Sequence, residues 1–430
     1  MSEVKTTPTV PAYKLLDDTK GAIEVKDIWG GSGKTVFFPS ANQVRLKGEI
    51  EQVYTIQASQ FVAGNITTQN QIQIQVLPKL IPGRYEYAEL KFQITETSGV
   101  NPVTLAPMPY LFSTSMPAVQ TAFNGSGAVS HSIPADALYQ QFQYYSPAEL
   151  TNVSAFNRLN MSATTYVGPT AISAGASVTY VMPLPMLPLV GLWSQTLGNG
   201  ATIITLNLAG SNCVISGSGT ASLTGVQLVL TTHKNDILDA SMSAQIMDNI
   251  FVKNVVNFLT ATMPPTTLTS GTSTQIQLGN IVSNQAAVML VMLRTTKTTS
   301  GAYNFFSLAG STGNEDQALI DLKTPSGVSV LGSGPVTGLT ARTTLQYLEA
   351  KGVMSTVVPI YALYMSANPN KFIKDADSQA GLFPMPNNMQ LILTPTGNFT
   401  SQSYIIDVIV MSLQQLWLSG GVIKLLTVSA

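Results

Sequence analysis

The chain reads as an all-β protein built in two halves. Three observations predict this. Apolar and polar residues alternate at period two along much of the 430 residues. Helical periodicity is scarce. Gly, Ser, Asn and Pro cluster between the alternating runs, as they do in turns.

Each element can be argued in order. Val44, Leu46, Gly48, Ile50, Tyr54 and Ile56 lie on one face of a long first strand, and Arg45, Lys47, Glu49, Glu51 and Gln57 on the other. Ile72, Ile74 and Val76, with Gln between them, predict a second strand. Ala88, Leu90, Phe92 and Ile94 predict a third, alternating with Glu89, Lys91 and Gln93. Further strands are expected at 176–182, 201–208, 224–232, 274–278, 286–294, 389–394 and 403–412. The runs 286–294 and 403–412 are apolar on both faces, as in strands buried between layers. Asn124–Gly127, Gly210–Asn212, Ser216–Gly219 and 325–340 read as turns and loops. The main helix candidate is Pro134–Tyr145, with Leu138, Phe142 and Tyr145 at helical spacing and a proline near the first turn. Arg342–Lys351 and Leu413–Leu418 are shorter helix candidates. The pattern is that of a sandwich or jelly roll. No repeat of about 20–50 residues is present, which argues against propellers and β-helices. The connector 233–240 (HKNDILDA) brings charge back after a neutral stretch and divides the chain into halves, each with roughly eight strand signals.

Composition narrows the function. Charged residues make up 10% of the chain, against about 25% in ordinary soluble proteins. The net charge is −1, so no basic field exists for nucleic acid. The 45% share of hydrophobic residues and the low net charge argue against disorder as well. One cysteine, Cys213, forms no intrachain disulfide, and with only His131 and His233 beside it a Cys/His metal site is not expected. The first residues lack the apolar core of a secretion signal. The longest central apolar run, Val181–Trp193, holds three prolines and falls short of the ~18–20 residues of a membrane span. The expectation is a chain made in the cytoplasm and soluble or assembled there. Charge is also unevenly spread. Residues 1–100 hold 20 of the 43 charged side chains, whereas 101–232 hold three, Asp136, Glu149 and Arg158. Such a span has weak electrostatic protection against association. A Ser/Thr-rich solvated surface and burial against other copies both account for it.

No motif carries chemistry. Gly30-Gly31-Ser32-Gly33-Lys34-Thr35 resembles the end of a phosphate-binding loop, but Ile28 stands where its first Gly belongs. The following TVFF-Pro39 reads as strand and turn, where phosphate binding requires a helix N-terminus. A Gly-rich hinge and no nucleotide hydrolysis are expected. His131 follows a turn and His233 ends a strand; neither joins a nucleophile set, and both are expected at the surface or in caps. The carboxylate pairs Asp17-Asp18, Glu49/Glu51 and Glu315-Asp316 lack the aromatic platform of a glycosidase cleft. Asn65, Asn160 and Asn398 match the glycosylation pattern without a secretion signal to give it meaning. The expected site inventory is therefore empty: no catalytic, cofactor-binding or metal residues and no cofactor.

Three segments carry a resemblance. They are ASVTYVMPLPML (176–187) through ATIITLNLAG (201–210) to GVQLVLTTHKNDILDA (225–240); DNIFVKNVVNFLTATM (248–263) with TQIQLGN (274–280) and AAVMLVMLRTT (286–296); and SYIIDVIVMSLQQLWLSGGVI (403–423). In order and pattern, over about a third of the chain, they resemble the double jelly-roll major capsid proteins of the tectivirus–adenovirus lineage. The resemblance implies two eight-stranded jelly rolls side by side: an N-terminal arm at 1–34, a first roll at 35–236, and a second roll at 237–430 with a short helical C-terminal tail. It implies a structural protein of the virion shell, not an enzyme, forming homotrimers of hexagonal outline. It also implies contacts with neighbouring capsomers and with minor capsid or penton proteins, commonly over an internal viral membrane. The arm holds Lys5, Lys14, Lys20, Lys26 and Lys34 against Glu3, Asp17, Asp18, Glu24 and Asp27, a balance that offers no attraction to anionic lipid. Pro8, Pro11 and Gly30–Gly33 predict an arm weakly tied to the body. A trimeric phage fibre or adhesin is the alternative, but it would show repeats or a shaft. A secreted polysaccharide-acting enzyme would need a signal and a carboxylate pair.

Overall fold

The computed structural model describes residues 24–26, 34–37, 50–59, 64–68, 70–123, 129–140, 170–234, 249–279, 281, 283–295, 318–330, 336–337, 360–365, 382–395, 402–419 and 422–427. Two short strands come first, β1 (Glu24–Lys26) and β2 (Lys34–Phe37). The first half then contributes β3 (Ile50–Gln57), β4 (Gly64–Asn65), β5 (Gln71–Val76), β6 (Arg84–Glu96), β7 (Val103–Leu105), β8 (Val119–Ala122) and β9 (Ser130–Ile133). One α-helix, α1 (Ala135–Gln140), follows. After it come β10 (Thr170–Ile172), β11 (Ser177–Pro183), β12 (Thr202–Asn207), β13 (Val214–Gly217) and β14 (Ala221–Lys234). The second half supplies β15 (Asn249–Leu268), β16 (Thr274–Gln277), β17 (Ser283–Thr295), β18 (Ala318–Lys323), β19 (Val336–Thr337) and β20 (Ile360–Tyr364). It ends with β21 (Phe383–Met385), β22 (Gln390–Pro395), β23 (Gln402–Ser419) and β24 (Val422–Thr427).

Pairing these strands reveals a repeat that the sequence hides. The first half forms one sheet ordered β3-β14-β6-β11 and another ordered β5-β12-β8-β9. The second half forms β15-β23-β17-β20 and β16-β22-β18-β19. Ranked by chain order within each half, leaving out β4, β7, β10, β13 and β21, which lie off these two paths, and the tail strand β24, both halves read 1-8-3-6 and 2-7-4-5. The first strand of each half lies beside the last, so each sheet is closed by residues far apart in sequence. This is Greek-key wiring of a two-sheet sandwich.

Alternation decides which side chains enter the cores. Ile72, Ile74 and Val76 of β5 are buried while the glutamines between them are not; Ala88, Leu90, Phe92 and Ile94 of β6 are buried with Lys91 and Gln93 exposed, but Glu89, expected on the polar face, is buried as well. Tyr54 and Ile56 of β3 pack against this core, with Glu51 and Gln57 exposed, as expected. Residues 38–49, where the first strand was expected to begin, lie outside the described residues.

The doubly apolar strands have a specific reason. On β17 and β23, Met289, Val291, Ile406, Val408 and Val410 face a core with Leu322, Leu391 and Leu393 of the second roll's other sheet. The alternate residues Val288, Leu290, Met292, Ile409, Met411 and Leu413 belong to a core shared with the first half. This sheet is therefore the middle layer of the molecule, apolar on both faces.

Bulges fall where the residue types demand them. The register of β15 against β23 shifts between Met263 and Thr266, across Pro264-Pro265, which cannot donate to the ladder. The register of β14 against β6 shifts at Gly225, whose φ is +62°.

Two expectations are corrected. Leu413–Leu418 is not a helix but the end of β23, hydrogen-bonded to β15 on one side and β24 on the other. The ladder on both flanks overrides local propensity. The tail is accordingly the antiparallel strand β24 rather than a helix. The arm expected to be weakly tied also carries regular structure: β1 pairs with β2, and β2 pairs in parallel with Asn249–Val252 of β15. That part of the arm is bound to the second half's sheet. The helix expected over Pro134–Tyr145 is present as α1 with Leu138 and Tyr139 buried; Phe142 and Tyr145, and the candidate Arg342–Lys351, lie outside the described residues.

Candidate functional site

Three arrangements of polar groups stand out among the described residues. The first is the joint between the halves. The proline-interrupted run Val181–Trp193 leaves β11 and lies against the second half. Leu184, Leu187, Leu189, Leu192 and Trp193 are buried, and Lys253 of β15 donates from Nζ to the Pro188 carbonyl (3.3 Å). On β9, His131 reaches across to β15, its Nε2 2.7 Å from the Val256 carbonyl and its ring edge-on to Phe258 at 6.1 Å. With a carbonyl as partner, Nε2 must carry the proton. Burial, and secondarily the nearby Lys253 ammonium, lower the His131 pKa to about 4, against the raising effect of the Val256 bond.

The second arrangement closes one end of the first roll. Glu51, His233 and Arg84 are register partners across β3, β14 and β6. His233 Nδ1 lies 2.9 Å from Glu86 Oε1, and Glu86 also accepts from the buried Arg84 guanidinium. Glu51 Oε2 stands 3.6 Å from the other ring nitrogen. Gly83, beside Arg84, has a φ of +103°, and a Cβ there would meet the His233 carbonyl at 2.6 Å, so only glycine lets β6 approach.

The third is a carboxylate cradle at the opposite end of β6. Glu96 accepts from the backbone amides of Ser98 (2.6 Å), Gly99 (3.0 Å) and Gly175 (2.8 Å). Hydrogen bonding from Ser98 and then from Gly175 holds its pKa at about 2, although burial opposes this. The carboxylate ties the loop after β6 to the turn before β11.

The residues singled out in the sequence fall as follows. His131 and His233 are not surface or capping residues but interior ones, each pinned across strands. Strand pairing, which single-chain spacing does not reveal, put them there. Gly30–Gly33 lie outside the described residues, and Lys34 opens strand β2 rather than a helix. Of the carboxylates, Glu51 is described above; Asp17, Asp18, Glu49, Glu315 and Asp316 lie outside the described residues. Cys213 is buried, which raises its thiol pKa to about 12. Asn65 begins a turn in which its side chain accepts from Thr67 N (3.0 Å); Asn160 and Asn398 lie outside the described residues. Among the described residues no three His, Cys, Asp or Glu side chains are grouped to hold a metal, and no helix is long and apolar enough to cross a membrane. Glu86 and Glu96 are in phase with Ala88, Leu90, Phe92 and Ile94 but lie just beyond either end of that apolar run, so the alternation read from the sequence did not reach them.

The surface is more informative than the interior. Of the three charges between 101 and 232, Glu149 and Arg158 lie outside the described residues and Asp136 is buried, accepting from the Tyr110 hydroxyl (2.7 Å). The described exposed surface of this span is therefore uncharged.

No family model matches the chain, and no curated protein sequence matches it. Solved structures do. PBCV-1 VP54, as fitted into a reconstruction of the virophage Sputnik, is similar over 90% of this chain and 99% of its own, with a TM-score of 0.61 at 14% identity. The PBCV-1 virus capsid structure gives 0.57 at 14% identity over 90% and 99%. The Faustovirus major capsid protein gives 0.54 at 10% identity over 87% and 91%. With the same strand order in both halves, these similarities settle the architecture.

This chain has the double jelly-roll fold.

At such identities the likeness speaks of fold alone. The double jelly roll accounts for the length, for the absence of a sequence repeat, and for the middle sheet with two apolar faces.

Proposed function

We propose that the chain is a major capsid protein, a structural rather than catalytic component of an icosahedral virus or phage shell, assembling as a homotrimer. The observation that carries this is the repeated strand order: three chains with two equivalent rolls each present six similar towers, a shape that fits a hexagonal lattice position. The uncharged described surface between 101 and 232 supports burial against other copies. We divide the chain into an arm (1–34), a first roll (35–236) and a second roll (237–430), with the arm continuing into β2. The partners of this reading are neighbouring capsomers and minor capsid or penton proteins. The location is the virion shell, reached after synthesis in the host cytoplasm.

Light scattering on the purified chain tests the proposal. A monodisperse trimer is expected, burying well over the ~2,000 Å² of obligate interfaces, with hexagonal outlines in negative-stain images. A monodisperse mass of one or two chains at working concentration would overturn it, and elongated rods would point to the fibre reading.

A further inference from the structure

The joint between the two rolls contains a group that can change charge under mild acid. His131 sits on β9, at the edge of the first roll's second sheet, and its partner Val256 sits on β15, the edge of the second roll's middle sheet. The ring is buried. Its Nδ1 has no hydrogen-bond partner among the described residues. The groups around it are ill suited to a cation. On β15 the charged neighbour is the Lys253 ammonium, of like sign, and beyond it Asn254 accepts from Gln415 of β23 (3.1 Å). On β8 the register partner is Thr121, whose buried hydroxyl is neutral. The carboxylate of Asp136, on α1, is engaged by Tyr110. The facing ring of Phe258 is apolar.

We propose that His131 is an acid-released latch between the two jelly rolls: neutral, it ties β9 to the Val256 carbonyl of β15, and protonated, it opens that seam. Protonation adds an N–H at Nδ1 that has no charged acceptor facing it and places a positive charge beside Lys253, in a buried site. Opening the seam lets the imidazolium hydrate.

The sign follows from the lowered pKa. A His with a pKa of about 4 in the closed joint and 6.5 when released contributes closure that is complete above 6.5 and lost as pH falls toward 4. Between pH 7.5 and 4.5 the opening constant rises roughly 70-fold.

Hydrogen exchange on the full chain tests this, corrected for the intrinsic pH dependence of exchange. In the wild type, peptides covering 130–133 and 251–258 are expected to lose protection by that factor, while β5 and β12 in the same roll do not. In His131→Gln, which keeps a donor but cannot titrate, the seam is expected to remain closed at both pH values. Equal loss in the seam and in β5 and β12 would overturn the latch without any variant, as would an unchanged acid response in His131→Gln. The measurement is independent of assembly, so its failure and that of the capsid reading are distinguishable.

Discussion

Replacing Phe92 with Ala should remove a large part of the first roll's stability. Phe92 lies at the centre of β6, almost fully buried, and its cross-strand partner on β11 is Tyr180. The two rings stack at 5.2 Å with an interplanar angle of 15°. On the other side the Phe112 ring meets Phe92 edge-on at 6.1 Å. The packing between the two sheets is already slightly open here: a void of about 10 Å³ is lined by Phe92, Leu90, Ile72 and Leu206. Truncation to Ala strips six ring carbons and leaves a space of order 100 Å³, worth about 2 kcal/mol in cavity cost, added to a similar transfer loss. Both aromatic contacts go too, each worth about 0.5–1.5 kcal/mol and already part of a measured Phe→Ala loss. The expected destabilisation is about 4–5 kcal/mol. Phe92→Leu, which keeps most of the volume, should cost only about 1–2 kcal/mol. Urea unfolding followed by tryptophan fluorescence reads this directly, because Trp193 is buried in the same core. A loss below about 2 kcal/mol for the Ala variant, or equal losses for Ala and Leu, would refute the view that the sheets are locked by this aromatic cluster.

Two further outcomes follow from local geometry. Gly217 has a φ of +94°, and a Cβ there would come within 2.3 Å of the Pro102 carbonyl, so Gly217→Ala should lower the melting temperature clearly. Gly271→Ala, at φ +76° but with nothing within 4 Å, should cost only the backbone strain of about 1 kcal/mol; equal effects in a thermal melt would contradict this. Glu96→Gln should flatten the acid limb of stability: with a folded pKa of about 2 against an ordinary 4.5, the carboxylate stabilises fully above pH 4.5 and loses that contribution as pH falls toward 2. Urea midpoints of the two proteins across that window should converge at the acid end, and parallel curves would exclude the cradle as the cause.

The sequence alone determined the class of structure. Alternation at Ile72, Ile74 and Val76, and at Ala88, Leu90, Phe92 and Ile94, places side chains on opposite faces because the strand period is two, whatever the strand later pairs with. Doubly apolar runs at 286–294 and 403–412 announced a buried middle layer for the same reason. Scarce charge and a lone cysteine set the expectation of a structural role by chemistry alone. What pairing decides was not legible. Leu413–Leu418 has a spacing open to helix or strand, and it is a strand because β15 and β24 supply ladders on both sides. His131 and His233 read as peripheral because nothing local marks a histidine whose partner lies more than a hundred residues away, as Val256 and Glu86 do. Glu24–Lys26 looked like loose arm, yet the neighbouring strand β2 gives those backbone groups hydrogen bonds that no local signal encodes. Face and burial follow from the order of residues along one strand. Register, edge coverage and the repeated 1-8-3-6 and 2-7-4-5 wiring arise from contacts between distant segments, and only the folded chain brings those together.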